Sequence, residues 1–447
     1  MGPRLIRALV RVLLAIFYRR FDVSGLEHVP ARGPLIVAAN HHNGLIDPML
    51  LLASLPRELR PLAKAGLFRH PLIAPWLRLA GALPVHRRQD AGSDMARNAQ
   101  TFRAVGEALG RGEAILIFPE GVSQPEPTLM TLRTGAARLL LEAVAAGAPP
   151  VTLLPTGLVL TEPGRFRAGR ALVLVGAPVA TADCVALHRR DPVAAVRALT
   201  DRLAAALRRQ IVEAEDRESL RLMRLLEQIW HEESGALATP GSPAWLQSTA
   251  RAYRWLRVTA PREVEDFRRE VEEYAGELER LGVTPETLGR AYAPSVVLRY
   301  AAREIVPVVL GLPLALLGMA LHLVPYQLVR LGVCLARPEA DVEATYKIAG
   351  GVIIFPLAWA LEAWLAARLG GPWLAALLVL ALLPAGFFAL AWQARLHDVS
   401  REATALWHFL ARRGLRERLL ARRRKLAQTV DRLAARVPSP VLAGETT

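Results

Sequence analysis

The chain has 447 residues, a formal net charge of +15 and 52% hydrophobic residues, with a mean hydropathy of +0.25 and a pI near 10.8. That length holds two or three domains, and the apolar excess, concentrated in residues 305–329 and 348–393, excludes an ordinary soluble enzyme and points to lipid contact. The positive charge suits an anionic lipid surface or nucleic acid; the apolar runs favour anionic membrane lipids, and no nucleic-acid partner is expected. Cys184 and Cys334 are the only cysteines and have no metal-ligand spacing, so neither a disulfide framework nor a metal site is implied.

Residues 1–20 read as an amphipathic helix on the membrane surface. Arg4, Arg7 and Arg11 share one face, with Leu5, Leu9, Val12, Leu13 and Ile16 opposite. The other reading of this segment is a basic helix packed on its own domain. Residues 21–190 alternate apolar runs with helical stretches. Strands are expected at 35–39, 114–118, 151–155 and 171–175, and helices at 48–55, 91–110 and 131–147. This alternation indicates an α/β domain, a sheet flanked by helices, whose ligands bind at the carboxyl ends of its strands.

Residues 191–304 are helical and rich in Arg and Glu, split near Ala238–Pro243, and their charges read as solvated faces. Residues 305–394 form the membrane section. Its first part, 305–329, is interrupted by Pro307, Pro313 and Pro325 and reads as a re-entrant or interfacial element. Its second part, 348–393, is long enough for two transmembrane helices joined at Arg368-Leu369-Gly370-Gly371-Pro372. The tail, 395–447, carries 12 Lys/Arg against 5 Asp/Glu, which places it in the cytoplasm.

Four short blocks stand in order: Asn40-His41-His42-Asn43-Gly44-Leu45-Ile46-Asp47-Pro48, Gly81-Ala82-Leu83-Pro84-Val85-His86-Arg87, Phe118-Pro119-Glu120-Gly121-Val122-Ser123, and Leu153-Leu154-Pro155-Thr156-Gly157; the first three can carry chemistry, and the fourth, mostly apolar, is given no catalytic role. A histidine can take a proton from a hydroxyl near neutral pH, and a carboxylate on its other nitrogen fixes the tautomer. An arginine fork can hold a phosphate beside the pair, and Gly121 lets backbone approach it closely. In this order the blocks resemble the glycerol-phosphate and lysophosphatidic acid acyltransferase superfamily over roughly residues 20–180.

The resemblance implies that a histidine is the base, Asp47 its partner and Arg87 a phosphate ligand, with Lys64 either a second cation or a solvated lysine. The commonest family spacing, His-x4-Asp, selects His42. A narrower branch with one residue more selects His41, and Asn40, Asn43 and Pro48 support that register. The third block lacks the family's usual Thr-Arg-Ser continuation, which leaves Ser123 in the turn and makes Arg133 the substitute arginine; Glu120 orients donors or the acceptor hydroxyl. This departure resembles the branch that acylates glycerol-3-phosphate or dihydroxyacetone phosphate and carries C-terminal membrane segments. The implied reaction moves an acyl group from acyl-CoA or acyl-carrier protein to a phosphorylated glycerol-like acceptor, without metal or organic cofactor. The catalytic domain would then sit on the cytoplasmic face of a multi-pass membrane protein. The alternatives are a 1-acylglycerol-3-phosphate or other lysophospholipid acceptor, and a non-catalytic lipid-binding protein with the same fold.

Overall fold

The computed structural model describes residues 2–18, 20–69, 73–86, 95–124, 126–160, 166, 170–212, 217–234, 243–289, 299–339, 342–412 and 414–443. The Ala238–Pro243 break therefore lies outside them but for Pro243, as does the side chain of Arg4. The chain forms two compact units. One comprises residues 1–217 with Pro338–Thr345, the other residues 218–337 with 346–447.

The first unit is built on a seven-stranded sheet. Its strands are β1 (Arg20–Ser24), β2 (Leu35–Ala39), β3 (Leu59–Lys64), β4 (Leu83–Val85), β5 (Ala114–Ile117), β6 (Thr152–Leu160) and β7 (Arg170–Val175). They lie in the order β1-β7-β6-β2-β5-β3-β4, all neighbours parallel except the antiparallel pair β6–β7. The central strands β2 and β5 are buried at every residue, as continuous apolar runs covered on both faces must be. β6 runs on past Pro155, where the sequence reading ended it. It pairs with β2 through Thr152–Thr156 and with β7 through Thr156–Leu160, so the proline falls near the change of partner.

The helices of this unit are α1 (Gly2–Phe17), α2 (Ile46–Ser54), α3 (Ala74–Leu79), α4 (Met95–Gly110), α5 (Gly135–Ala145), α6 (Ala182–His188) and α7 (Pro192–Arg208). One core joins Ile36, Ile115 and Leu153 of the sheet to Leu109 of α4, Leu140 of α5 and Leu203 of α7. Helix α1 packs on α2 and buries Ile6, Val10, Leu14 and Phe17. This is the packed-on-its-domain reading. The face expected to meet lipid still points outward, with Leu5 66% and Val12 44% exposed.

The second unit contains α8 (Arg217–Ser234), α9 (Pro243–Thr259), α10 (Pro261–Leu281), α11 (Pro285–Gly289), α12 (Val306–Ala336), α13 (Glu343–Ala411), α14 (Leu415–Ala434) and α15 (Ser439–Ala443), the outer residues of α8 and α13 reaching into the first. The basic tail is no separate appendage: Leu415, Leu419 and Leu426 share a core with Ile229, Tyr274, Leu278 and Leu288. Its cations face acidic partners, with Arg422 on Glu277 at 2.6 Å, Arg423 on Glu233 at 2.5 Å and Lys425 on Glu270 at 3.0 Å. The 191–304 charges therefore include an ion-pairing face as well as solvated ones.

Helix α12 passes through Pro313 and Pro325 without interruption, where the sequence reading broke it. A proline removes one helical hydrogen bond, which an apolar helix packed on neighbours tolerates. In α13, Gly371 adopts φ 80°, ψ 178° and interrupts the helix inside the expected Arg368–Pro372 turn. The stretches 302–336 and 343–411 are both long and apolar enough to cross a membrane.

Candidate active site

The site forms where β2, β5 and β3 end. Chain leaving β2 becomes the loop Asn40–Leu45, and α2 then begins with Ile46 and Asp47. Asp47 is fully buried in the first turn of α2. Its Oδ2 accepts from His41 Nδ1 at 2.9 Å, from His42 N at 2.5 Å and from Asn43 N at 2.7 Å. One carboxylate oxygen thus orients the imidazole and folds the loop that carries it. A helix N-terminus favours that negative charge.

The two histidines differ in what is left for chemistry. His42 has both ring nitrogens engaged, Nδ1 with Gln124 O at 3.1 Å and Nε2 with Asn40 Nδ2 at 2.8 Å. His41 stacks on Phe118, ring centroids 4.1 Å apart, and its side chain is 12% exposed. With Nδ1–H directed to Asp47, its Nε2 carries the lone pair available for a proton. Asn40 pins the end of β2 to β6 by donating to Leu158 O at 2.9 Å and accepting from Leu158 N at 2.7 Å.

The turn after β5 closes around the same loop. Glu120 is buried; its Oε1 accepts from His41 N at 2.7 Å and its Oε2 from Met130 N at 2.9 Å. Burial pushes the Glu120 carboxyl above its ordinary value, against the pull of those two backbone donors and of the two histidines. Glu120 therefore braces the histidine loop. Gly121 has φ +78°, and a Cβ there would lie 2.6 Å from Arg133 Nε, so a side chain at 121 would displace the guanidinium from the turn. Arg133 N in turn donates to Pro119 O at 2.8 Å.

Lys64 is exposed at the end of β3, paired in register with Val85 of β4. With β5 between β2 and β3, two strand spacings of about 4.8 Å separate Lys64 from the histidine strand at the same edge. Ser123 is half-buried in the Glu120–Gln124 turn. Arg87, with Arg88, lies outside the described residues. An open cleft of about 1150 Å³ runs along α4 and α5 from Val85 and Arg133 to Gly110 and Pro149; Arg133 lines it, whereas His41, Asp47 and Glu120 do not. The sequence reading missed Gln124, whose carbonyl contacts His42 Nδ1 and which belongs to no short motif. Among the described residues no group of three His, Cys, Asp or Glu side chains is placed to hold a metal ion.

Residues 20–159 match the family model described as Acyltransferase. An uncharacterized acyltransferase of Schizosaccharomyces pombe is 24% identical over 322 residues, covering 52% of this chain and 47% of that protein. The 1-acyl-sn-glycerol-3-phosphate acyltransferase alpha of Homo sapiens is 28% identical over 182 residues, covering 40% of this chain and 61% of its own. The 1-acyl-sn-glycerol-3-phosphate acyltransferase of Bacillus subtilis is 28% identical over 185 residues, covering 40% and 85%. The chain spans about half the length of the first curated relatives it matches. The crystal structure of the 1-acyl-sn-glycerophosphate acyltransferase of Thermotoga maritima aligns with 20% identity and a TM-score of 0.33, over 44% of this chain and 79% of that one. The stretch similar to the Acyltransferase family, residues 20–159, thus contains the histidine–aspartate loop.

Proposed function

We propose that the protein is a membrane-bound O-acyltransferase of glycerolipid synthesis, acting on the free hydroxyl of a 1-acylglycerol-3-phosphate-like acceptor. The observation that carries this reading is His41, whose Nδ1 is held by a buried carboxylate while Nε2 is left for the acceptor, in a loop braced by Glu120. Nε2 takes the acceptor's hydroxyl proton as that oxygen attacks the thioester carbonyl of acyl-CoA or acyl-carrier protein. The oxygen–acyl bond forms, the carbon–sulfur bond breaks, and the proton leaves with the thiolate. Asp47 stabilises the imidazolium in between. Arg133, with Lys64 and Arg87, holds the acceptor's phosphate.

The named relatives favour the lysophospholipid acceptor over glycerol-3-phosphate. A second reading, glycerol-3-phosphate or dihydroxyacetone phosphate, keeps one support: Val122-Ser123-Gln124 stands where the wider superfamily has Thr-Arg-Ser. Thiol release from acyl-CoA, followed with each acceptor in turn and with lipid mass spectrometry of the product, separates the two. No acceptor-dependent release with any of them would sink the enzymatic reading and leave a lipid-binding protein.

For location, we infer an even number of crossings with the catalytic domain cytoplasmic. Two packings support it. Helix α14, after the last apolar stretch, shares a core with α8, α10 and α11, which precede the first. Val342 and Thr345, between the two stretches, lie against Gly44 of the catalytic loop, 3.6 and 3.9 Å from where its Cβ would be. On this reading α12, an uninterrupted helix, lies along the membrane surface instead of crossing, and α13 crosses and returns at Gly371. Full activity of an exported-only reporter fused after Ala443 would overturn this topology.

A further inference from the structure

The cleft along α4 and α5 holds about 1150 Å³, above the roughly 300–1,000 Å³ of ordinary ligand sites. A phosphate at one end leaves most of that volume for something else. Two contacts join its Arg133 end to the histidine loop. Glu120 Oε1 accepts from His41 N at 2.7 Å, and at the next residue, Gly121, a Cβ would lie 2.6 Å from Arg133 Nε. From there the cleft follows one face of each helix, past Gly106 and Gly110 of α4 and past Gly135 and Glu142 of α5. At ~1.5 Å per residue, the face from Gly135 to Ala146 is about 16 Å long.

The walls decide what fits. Arg138 of α5 lies over the Phe102 ring of α4 at 4.8 Å and donates to Glu142 Oε1 at 3.1 and 3.2 Å. It therefore spans the two walls with its charge matched. Arg103 and Glu107, also in the lining, stand one turn apart on α4. Cations and carboxylates thus occur together along the cleft. A cationic guest would meet Arg103 and Arg138, a second phosphate would meet Glu107 and Glu142, and like charges repel. Hydroxyls donate to the carboxylates and accept from the guanidinium groups. Gly106 keeps the middle open: nothing lies within 4 Å of where its Cβ would be. A glycine inside a helix costs stability against alanine, and packing does not require one here.

The acyl donor fits this cleft less well. Its thioester must meet the oxygen that His41 deprotonates, yet His41, Asp47 and Glu120 do not line the cleft. A group esterified to the acceptor's phosphate needs only to pass Arg133. We propose that the cleft is a headgroup subsite: the phosphate held by Arg133 is a diester, and its second substituent is a neutral, hydroxylated group such as glycerol lying along α4 and α5. This rests on the reading of Arg133 as a phosphate ligand, and it narrows the acceptor to lysophospholipids with a polyol headgroup.

In the full-length protein, initial rates with 1-acylglycerophosphoglycerol and with 1-acylglycerol-3-phosphate of the same acyl chain give two values of kcat/KM. Wild type should favour the phosphoglycerol acceptor. Gly106→Leu puts a side chain into the cleft without a clash. It should lower the ratio of the two values about tenfold, the scale on which a pocket discriminates small changes of shape, and melt no lower than wild type. A wild-type ratio below one, or a ratio that Gly106→Leu leaves unmoved, would overturn the proposal. So would a raised KM for acyl-CoA with both acceptors, which would assign the cleft to the donor. A second measurement needs no turnover. Saturation-transfer NMR with soluble glycerophosphoglycerol should show contact with wild type and none with Gly106→Leu; no contact with wild type rejects the subsite. A protein that transfers no acyl group, yet binds this headgroup and loses it in Gly106→Leu, would reject acyl transfer and keep the subsite.

Discussion

In the first unit polar side chains are buried together, whereas in the second large apolar side chains face outward. Asn40, His42, Asn43, Asp47, Glu120 and Thr156 are all at most 8% exposed, and all belong to the loop, turn and strand around His41. Leu310, Leu335, Leu369, Trp373 and Leu380 of α12 and α13 are 74–86% exposed. A folded domain buries polar groups only when hydrogen bonds offset their desolvation. Helices leave leucines outward over this length when the surrounding medium is itself apolar. On the proposed function, catalysis belongs to the polar cluster and membrane attachment to the apolar helices, so each can be broken separately.

The largest expected effect separates the two histidines. His41→Ala should lower turnover by about 10²- to 10⁴-fold, the range for losing a general base, with little change in melting temperature. His42→Ala should show the reverse pattern. It removes the partner of Asn40 Nδ2 and Gln124 O, at about 1–3 kcal/mol of stability, and leaves residual turnover well above that of His41→Ala. Thiol-release kinetics and thermal unfolding of both variants check this. Equal losses of turnover would end the division of labour.

A smaller effect tests the apolar region. Leu380→Arg puts a charge on a side chain 75% exposed in α13. In water such a surface change stays within about 0.5 kcal/mol; in the bilayer centre it costs roughly 2.5–3.5 kcal/mol. The variant should be released from membranes by carbonate washing more readily than wild type, and the turnover of what remains inserted should be unchanged. Identical retention would place α13 outside the bilayer.

Gly121→Ala comes next. A non-glycine residue at φ +78° costs about 1–2 kcal/mol, and the added Cβ must push Arg133 aside. The expected outcome is a several-fold rise in KM for the phosphorylated acceptor with a smaller fall in kcat, read from initial rates. A pure kcat effect would remove Arg133 from the phosphate clamp.

What could be read from the sequence follows burial. Leu35–Ala39 and Ala114–Ile117 are apolar throughout because both sheet faces are covered. β1, β3 and β4 escaped the reading: Arg20-Phe21-Asp22 and Leu59-Arg60-Pro61 carry polar residues or proline, and all three lie at or next to a sheet edge. The histidine–aspartate loop was legible as spacing, and Asn40, Asn43 and Pro48 favoured His41 over His42. The contact that distinguishes the two rings, Gln124 O on His42, comes from 82 residues away and leaves no local trace. The paired tail was likewise hidden, since Arg423 meets Glu233 across 190 residues.

The smallest effect comes from Glu120 and concerns pH. Its carboxyl is held above the ordinary glutamate value by burial, so the folded protein binds that proton more tightly than the unfolded chain does. Stability from this group is then fully present below the free value of ~4.3 and falls as pH rises through the window up to the raised value. In Glu120→Gln that titration is gone, and one amide N–H faces the backbone N–H of His41 or Met130. The variant should therefore melt lower at every pH while losing the downward slope across that window. Melting temperatures of both proteins measured from pH 4 upward check the sign. A wild-type curve that instead climbs through the same window would mean that the His41 and Met130 donors outweigh burial, leaving Glu120 a charged brace in the polar cluster.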